Sequence, residues 1–132
     1  MDLRNLEKDG EVKHPYGVRT LRSFVRRGRM ALSKTRATAA LWPVFGLEVA
    51  SGMIDFNQVF NRLAPCFLEV GFGSGQSLLA LARESPDANF IGIEVHRPGI
   101  AQLLAAASQA GLTNLRIYEA DAVDVLTRCI PS

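Results

Sequence analysis

No stretch of 18 consecutive apolar residues occurs in this 132-residue chain, although 48% of it is hydrophobic, so a membrane-spanning helix is not expected. The opening Met1-Asp2-Leu3-Arg4-Asn5-Leu6-Glu7-Lys8 is polar and mixed in charge, unlike a secretory signal. Cysteine is scarce. The two present, Cys66 and Cys129, lack metal-ligand spacing and lie in apolar patterns, where a thiol behaves as a small core residue. Neither a disulfide scaffold nor a metal site is expected, and a reducing cytoplasm is the expected location. Repeats and low-complexity segments are missing too. Acid is absent from one stretch: seven basic residues and no acid lie between Arg19 and Arg36. Residues 1–40 hold ten Lys/Arg against four Asp/Glu, and residues 41–132 hold five against nine. The net charge of +2 therefore conceals a basic segment joined to an acidic domain. That division suits a polyanion partner, most often nucleic acid, although a solvated basic tail would carry the same charge.

What is present is concentrated in Glu69-Val70-Gly71-Phe72-Gly73-Ser74-Gly75, directly after the apolar Cys66-Phe67-Leu68. An acid and three alternating glycines at the end of a buried strand bring bare backbone up to a nucleotide-like ligand. The dinucleotide pattern is incomplete. Gln76 or Leu78 stands where a third glycine belongs, depending on the starting glycine. A pyrophosphate favours a helix N-terminus free of carboxylate. A ligand with a cationic near end tolerates or wants Glu69, and S-adenosylmethionine, with ammonium and sulfonium charges and no phosphate, fits that description.

Around this loop the pattern alternates. Residues 1–18 read as a flexible lead-in, and a short helix from Lys34 to Leu41 should end at Pro43. Trp42, Phe45 and Leu47 should pack that region on the main domain, and a short helix is expected around Phe56 to Phe60. Strands are predicted at Phe67–Val70, Asn89–Val95 and Leu115–Ala120. Between them, a helix from Gly75 to Ala82 should bury Leu78, Leu81 and Ala82. A second helix, with Pro98 in its first turn, should bury Ile100, Leu103, Leu104 and Ala107 and stop at Gly111. A last helical stretch follows Asp121. This alternation predicts an α/β, Rossmann-like, doubly wound parallel sheet, partial at about three strands. The expected division is a basic N-terminal arm over 1–45 and a partial cofactor-binding domain over 46–132.

Ligands of such sheets bind beyond the carboxyl ends of the strands. Glu69, Glu94 and Asp121 stand at three successive strand ends. Glu94 follows Gly71 by 23 residues, near the distance at which a carboxylate reaches ribose hydroxyls, and could accept both of them. Asp121 is placed for an exocyclic adenine amine and Glu69 for the methionine end. Glu69 and Asp121 could instead cap the following turn or helix, and Glu94 could be a solvated loop acid. His96 reads as a locally hydrogen-bonded loop residue, and Arg97 and Pro98 as structural.

Several stretches closely resemble bacterial tRNA (guanine-N7)-methyltransferases. They are Arg22-Ser23-Phe24-Val25-Arg26-Arg27, Leu41-Trp42-Pro43, Leu68 to Gly73, Phe90 to Gly99, Gly111 to Arg116, Asp121-Ala122 and Ile130-Pro131. The resemblance covers about residues 19–132, and its most specific part is Gly92-Ile93-Glu94-Val95-His96-Arg97-Pro98-Gly99. It implies that Glu69, Gly71, Gly73, Glu94 and Asp121 hold S-adenosylmethionine, and that Arg26, Arg27 and Arg29 of the basic segment contact tRNA. In place of the family's Arg-x-Gly-Arg the chain reads Arg27-Gly28-Arg29. The family's later Phe-x-Asp-Pro-Trp-type motif, with its catalytic aspartate, lies beyond Ser132, so no catalytic residue is assigned. Weak cofactor binding without turnover, and an exposed apolar first strand, are the corresponding expectations. The competing expectations are a non-catalytic RNA-binding fragment with a degenerate nucleotide fold and an NAD-linked oxidoreductase domain.

Overall fold

The computed structural model describes residues 32–131. The lead-in and Arg26, Arg27 and Arg29 lie outside the described residues. In chain order the elements are α1 (Leu32–Phe45), β1 (Gly46–Leu47), a 3-10 turn (Val49–Ser51), α2 (Phe56–Phe60), β2 (Cys66–Val70), α3 (Gln76–Glu84), β3 (Asn89–Glu94), α4 (Arg97–Gln109), β4 (Leu115–Glu119) and α5 (Ala122–Arg128). The strands form one parallel sheet in the order β1-β4-β3-β2. Among the described residues no helix is long and apolar enough to cross a membrane.

Strand alternation builds two cores. Phe90, Leu115 and Ile117 face α1, α3 and α4, where they join Phe45, Leu78, Ala82, Ile100, Leu103, Leu104 and Ala107. Ile91, Ile93 and Tyr118 face the other way, against Phe60, Ala122, Val125 and Cys129. The central strand β3 is therefore buried on both faces, as a continuous apolar run in a parallel sheet requires. Helices cover both sides, and the fold is a partial Rossmann-like α/β layer structure. Both cysteines are free. Burial pushes the Cys66 thiol up to about 11 from 9.0, so it stays protonated and unreactive near neutrality.

Three expectations need correction. Beside the three expected strands, the sheet has a fourth among the described residues. The fourth, β1, pairs Gly46 with Ile117 and Leu47 with Tyr118, and two residues are too few to show a period. Helix α1 does not stop before Pro43 but runs through it to Phe45. So close to the helix end the proline forfeits one backbone bond, to the Ala39 carbonyl, while Leu41, Trp42 and the buried Phe45 gain contact with the core. Gly46 follows because a Cβ there would strike the Trp42 indole, whose Nε1 donates to Glu48 Oε1 at 2.6 Å. Finally, Leu81 is not buried: it is 47% exposed, and Leu79 makes the contact instead. Both 78/81/82 and 78/79/82 are helical stripes. The orientation is set by Gly75, whose missing Cβ admits Leu103 of α4.

The expected exposed strand is observed. β2 is the sheet edge, with Phe67 56%, Leu68 37% and Val70 42% exposed. Phe67 stacks on Phe90 of β3, ring centroids 5.7 Å apart.

The opposite, amino-terminal rim of the sheet is tied down by side chains. Asn114 Nδ2 donates to the carbonyls of Ala82 (2.9 Å), Ser85 (3.2 Å) and Ala88 (3.0 Å). Arg62 donates from Nε (2.9 Å) and one terminal nitrogen (2.7 Å) to Asn89 Oδ1.

Candidate functional site

Strand β2 ends at Val70, and the chain turns through Gly71, Gly73 and Gly75 with φ of +71°, +65° and +80°. An L side chain rarely adopts this left-handed region, so the alternating glycines are a conformational requirement. Gly71 N–H continues the ladder to the Ile93 carbonyl at 2.7 Å, and Gly75 N–H closes a tight turn on the Phe72 carbonyl at 2.9 Å. The three glycines differ in surroundings. A Cβ on Gly71 or Gly73 would meet nothing within 4 Å, whereas one on Gly75 would press on Leu103 at 2.9 Å. The first two leave a bare backbone cradle, and the third admits helix α4.

The acids stand on the same rim. Glu69 is the penultimate residue of β2, Glu94 closes β3, and Asp121 follows β4 by two residues. Because β2, β3 and β4 are adjacent and parallel, the three share one edge of the sheet, on strands spaced about 4.8 Å apart. Their hydrogen bonding separates them. Glu69 Oε2 is buried with no partner. Glu94 is engaged with backbone through both oxygens: Oε1 accepts from Gly73 N–H at 2.7 Å, and Oε2 from Val95 N–H at 2.9 Å and His96 N–H at 3.1 Å. Asp121 is the N-cap of α5, its Oδ1 accepting from Val123 N–H at 2.7 Å. The capping alternative raised from the sequence thus describes part of what Asp121 does. Glu94 is no solvated loop acid.

A buried carboxylate oxygen without a donor is costly unless a cation or hydrogen-bond donor meets it. Beside it lies the bare backbone of Gly71 and Gly73. This donor set fits a ligand with an ammonium and no phosphate, such as S-adenosylmethionine, in which Glu69 would meet the cationic end. Among the described residues no group of three or more His, Cys, Asp or Glu is arranged to hold a metal ion.

Two residues at the rim escaped sequence reasoning. Glu119, the register partner of Glu94, pairs with Arg97 at 3.3 Å. The pair is well exposed, so it contributes little to stability, but it places a fourth carboxylate and a cation at the rim. The signal was available, since Glu119 ends its strand just as Glu94 does. Gly99 lies in the first turn of α4, and a Cβ there would collide with the Gly73 carbonyl. Glycine inside a helix costs about 1 kcal/mol relative to alanine, and that cost was the available hint of a close approach.

Comparison with known proteins follows the same direction. Residues 63–132 match the model of a family described as "Putative methyltransferase". A curated relative from Pseudoalteromonas atlantica, named tRNA (guanine-N(7)-)-methyltransferase, is 53% identical over 114 residues, covering 86% of this chain and 48% of the relative. Relatives of the same name from Psychromonas ingrahamii and Alcanivorax borkumensis are each 49% identical. They cover 93% and 99% of this chain, and 51% and 54% of their own lengths. The chain spans about half the length of the curated relatives it matches. A solved structure described as an antibiotic related methyltransferase overlaps at a TM-score of 0.43 and 19% identity, covering 53% of this chain and 38% of that one, too loosely to bear on function. With the glycine turn, the rim acids and the matched stretch all within residues 63–132, the chain belongs to this methyltransferase family.

Proposed function

We propose that this chain carries the cofactor-binding part of a tRNA (guanine-N7)-methyltransferase, and that S-adenosylmethionine occupies the rim formed by β2, β3 and β4. The observation that carries the reading is the buried, partnerless Glu69 Oε2 beside the open backbone of Gly71 and Gly73. The names of the relatives supply the reaction. Glu69 faces the ammonium end, Gly71 and Gly73 let the ligand approach the main chain, Glu94 accepts from the ribose, and Asp121 accepts from the adenine amine. The arm over 1–45 carries Arg26, Arg27 and Arg29 to tRNA phosphates, and residues 46–132 hold the cofactor. A cytoplasmic location follows from a tRNA substrate.

The chemistry asks little of acid–base groups. Guanine N7 presents an unprotonated lone pair on the major-groove edge, so no side chain must generate the nucleophile. The bound cofactor supplies a methyl group already activated by its sulfonium. What remains for the protein is alignment, which can contribute roughly 7–11 kcal/mol. The anionic rim adds favourable charge where the cofactor is positive. Arginine contacts to phosphate would make tRNA binding fall steeply with salt.

Calorimetry tests the reading. S-adenosylhomocysteine should bind the chain, and Glu69→Gln should weaken it by roughly tenfold, one charge-assisted contact being worth ~1.5 kcal/mol or more. Binding of NADH but not of the thioether would make the domain a dinucleotide site instead. RNA gel shifts without any thioether binding would leave a nucleic-acid-binding module.

A further inference from the structure

The carboxyl-terminal rim is strongly anionic, and one cation stands in it. The strand ends and the turns after them, residues 69–76, 94–99 and 119–124, carry the acids Glu69, Glu94, Glu119, Asp121 and Asp124 against a single basic residue, Arg97. That balance suits a cationic cofactor but opposes an RNA substrate. Every guanosine inside an RNA chain is flanked by phosphates, so a base brought to this rim carries negative charge towards negative charge. The repulsion is incompletely screened within the Debye length, about 10 Å at 0.1 M salt.

Arg97 opens α4, three residues after Glu94, and reaches towards the neighbouring strand. Its Nε donates to Oε2 of Glu119, the last residue of β4, at 3.3 Å. Nε is the inner nitrogen of the guanidinium. Both terminal nitrogens, with their four N–H groups, make no bond among the described residues. A carboxylate that gripped the terminal fork would compete with a phosphate for it. Glu119 leaves that fork free, and a planar fork is the part of arginine that matches two phosphate oxygens at once. The side chain is also open to solvent, at 53% exposure.

We propose that Arg97 is a phosphate contact for the RNA substrate at the cofactor rim. This rests on the tRNA reading given above and goes beyond the structural role that the sequence suggests for Arg97. The contact is separate from the basic arm, and it offsets the rim's repulsion beside the methyl donor. A phosphate joins the Arg97–Glu119 pair without breaking it, since the two anions use different nitrogens of one guanidinium.

Fluorescence anisotropy with a labelled, unmodified tRNA transcript and the full 132-residue chain tests the contact over a range of salt. One phosphate contact contributes about 0.7–0.9 to the slope of log affinity against log salt. Arg97→Gln should remove one such increment and weaken binding at least about threefold at low salt, whereas Arg97→Lys should keep the slope. Arg128→Gln deletes the same charge from an exposed arginine in the last turn of α5, and should change the slope by less than about 0.3. An unchanged slope in Arg97→Gln, or an equal loss in Arg128→Gln, overturns the contact. Calorimetry with S-adenosylhomocysteine keeps the two readings apart. If the thioether binds and the tRNA does not, the phosphate contact falls and the cofactor reading stands. If tRNA binds with the expected loss of slope and the thioether does not, the contact stands and the cofactor reading falls.

Discussion

The two rims of the parallel sheet use polar side chains in opposite ways. At the amino-terminal rim, the two N–H groups of the Asn114 amide are shared among three carbonyls, and the Arg62 guanidinium closes on Asn89 Oδ1 and on the Ala88 carbonyl at 3.0 Å. These bonds fasten the α3–β3 turn to β4 and to the segment before β2, and they leave Asn89 Nδ2 buried without a partner. At the carboxyl-terminal rim the polar groups are carboxylates. One is incompletely satisfied, one holds a loop, and one caps a helix. The lesson is that acids at strand ends are not interchangeable. The unsatisfied Glu69 is the strongest pointer to a ligand, while Glu94 and Asp121 combine structural bonds with any recognition they perform.

That contrast can be broken from either side. The largest effect is expected for Asn114→Ala, which takes the amide donor from the Ala82 carbonyl and one of two donors from the Ser85 and Ala88 carbonyls, and should lower the unfolding free energy by about 2–3 kcal/mol. Urea denaturation would measure it, and a loss under ~1 kcal/mol would show that the amino-terminal rim is not fastened this way. Arg62→Met keeps the aliphatic stem and abandons Asn89 Oδ1, for an expected loss of about 1–2 kcal/mol. Cys66, at the amino-terminal end of β2, gives a weaker, pH-dependent signal. Its folded pKa lies above the ordinary value of 9.0, at about 11. The unfolded chain therefore loses this proton first, so stability should fall as pH rises from about 9 towards 11. Replacement by alanine should flatten that slope. Burial and the neighbouring Cys129 also hold the Tyr118 phenol above its ordinary range, so a residual slope at higher pH is expected in the variant. The smallest stability effect belongs to Glu69→Gln, within ~0.5 kcal/mol of the parent, because no internal bond is lost. A loss above 1 kcal/mol would make Glu69 structural and erase the difference between the rims.

Much of the fold was legible in the sequence. β2, β3 and β4 carry long enough apolar runs to register as strands, Pro98 and Gly111 bracket α4, and Gly71 to Gly75 mark the turn. What escaped depends on distant neighbours. β1 exists because Gly46 and Leu47 meet Ile117 and Tyr118 across the sheet, and two residues carry no pattern of their own. Helix α1 continues past Pro43 because Phe45 finds a core built some sixty residues later by α4. Which leucine of α3 is buried was decided by Gly75 against Leu103.

The same division runs through the site. Sequence alone determined that three acids follow three strands and that glycines form the first turn, since charge order and local backbone freedom are properties of the chain itself. Only tertiary structure decided what each carboxylate oxygen does. Whether an acceptor meets an N–H depends on register and on the approach of α4 to the glycine turn, and these are relations between segments that no local pattern contains.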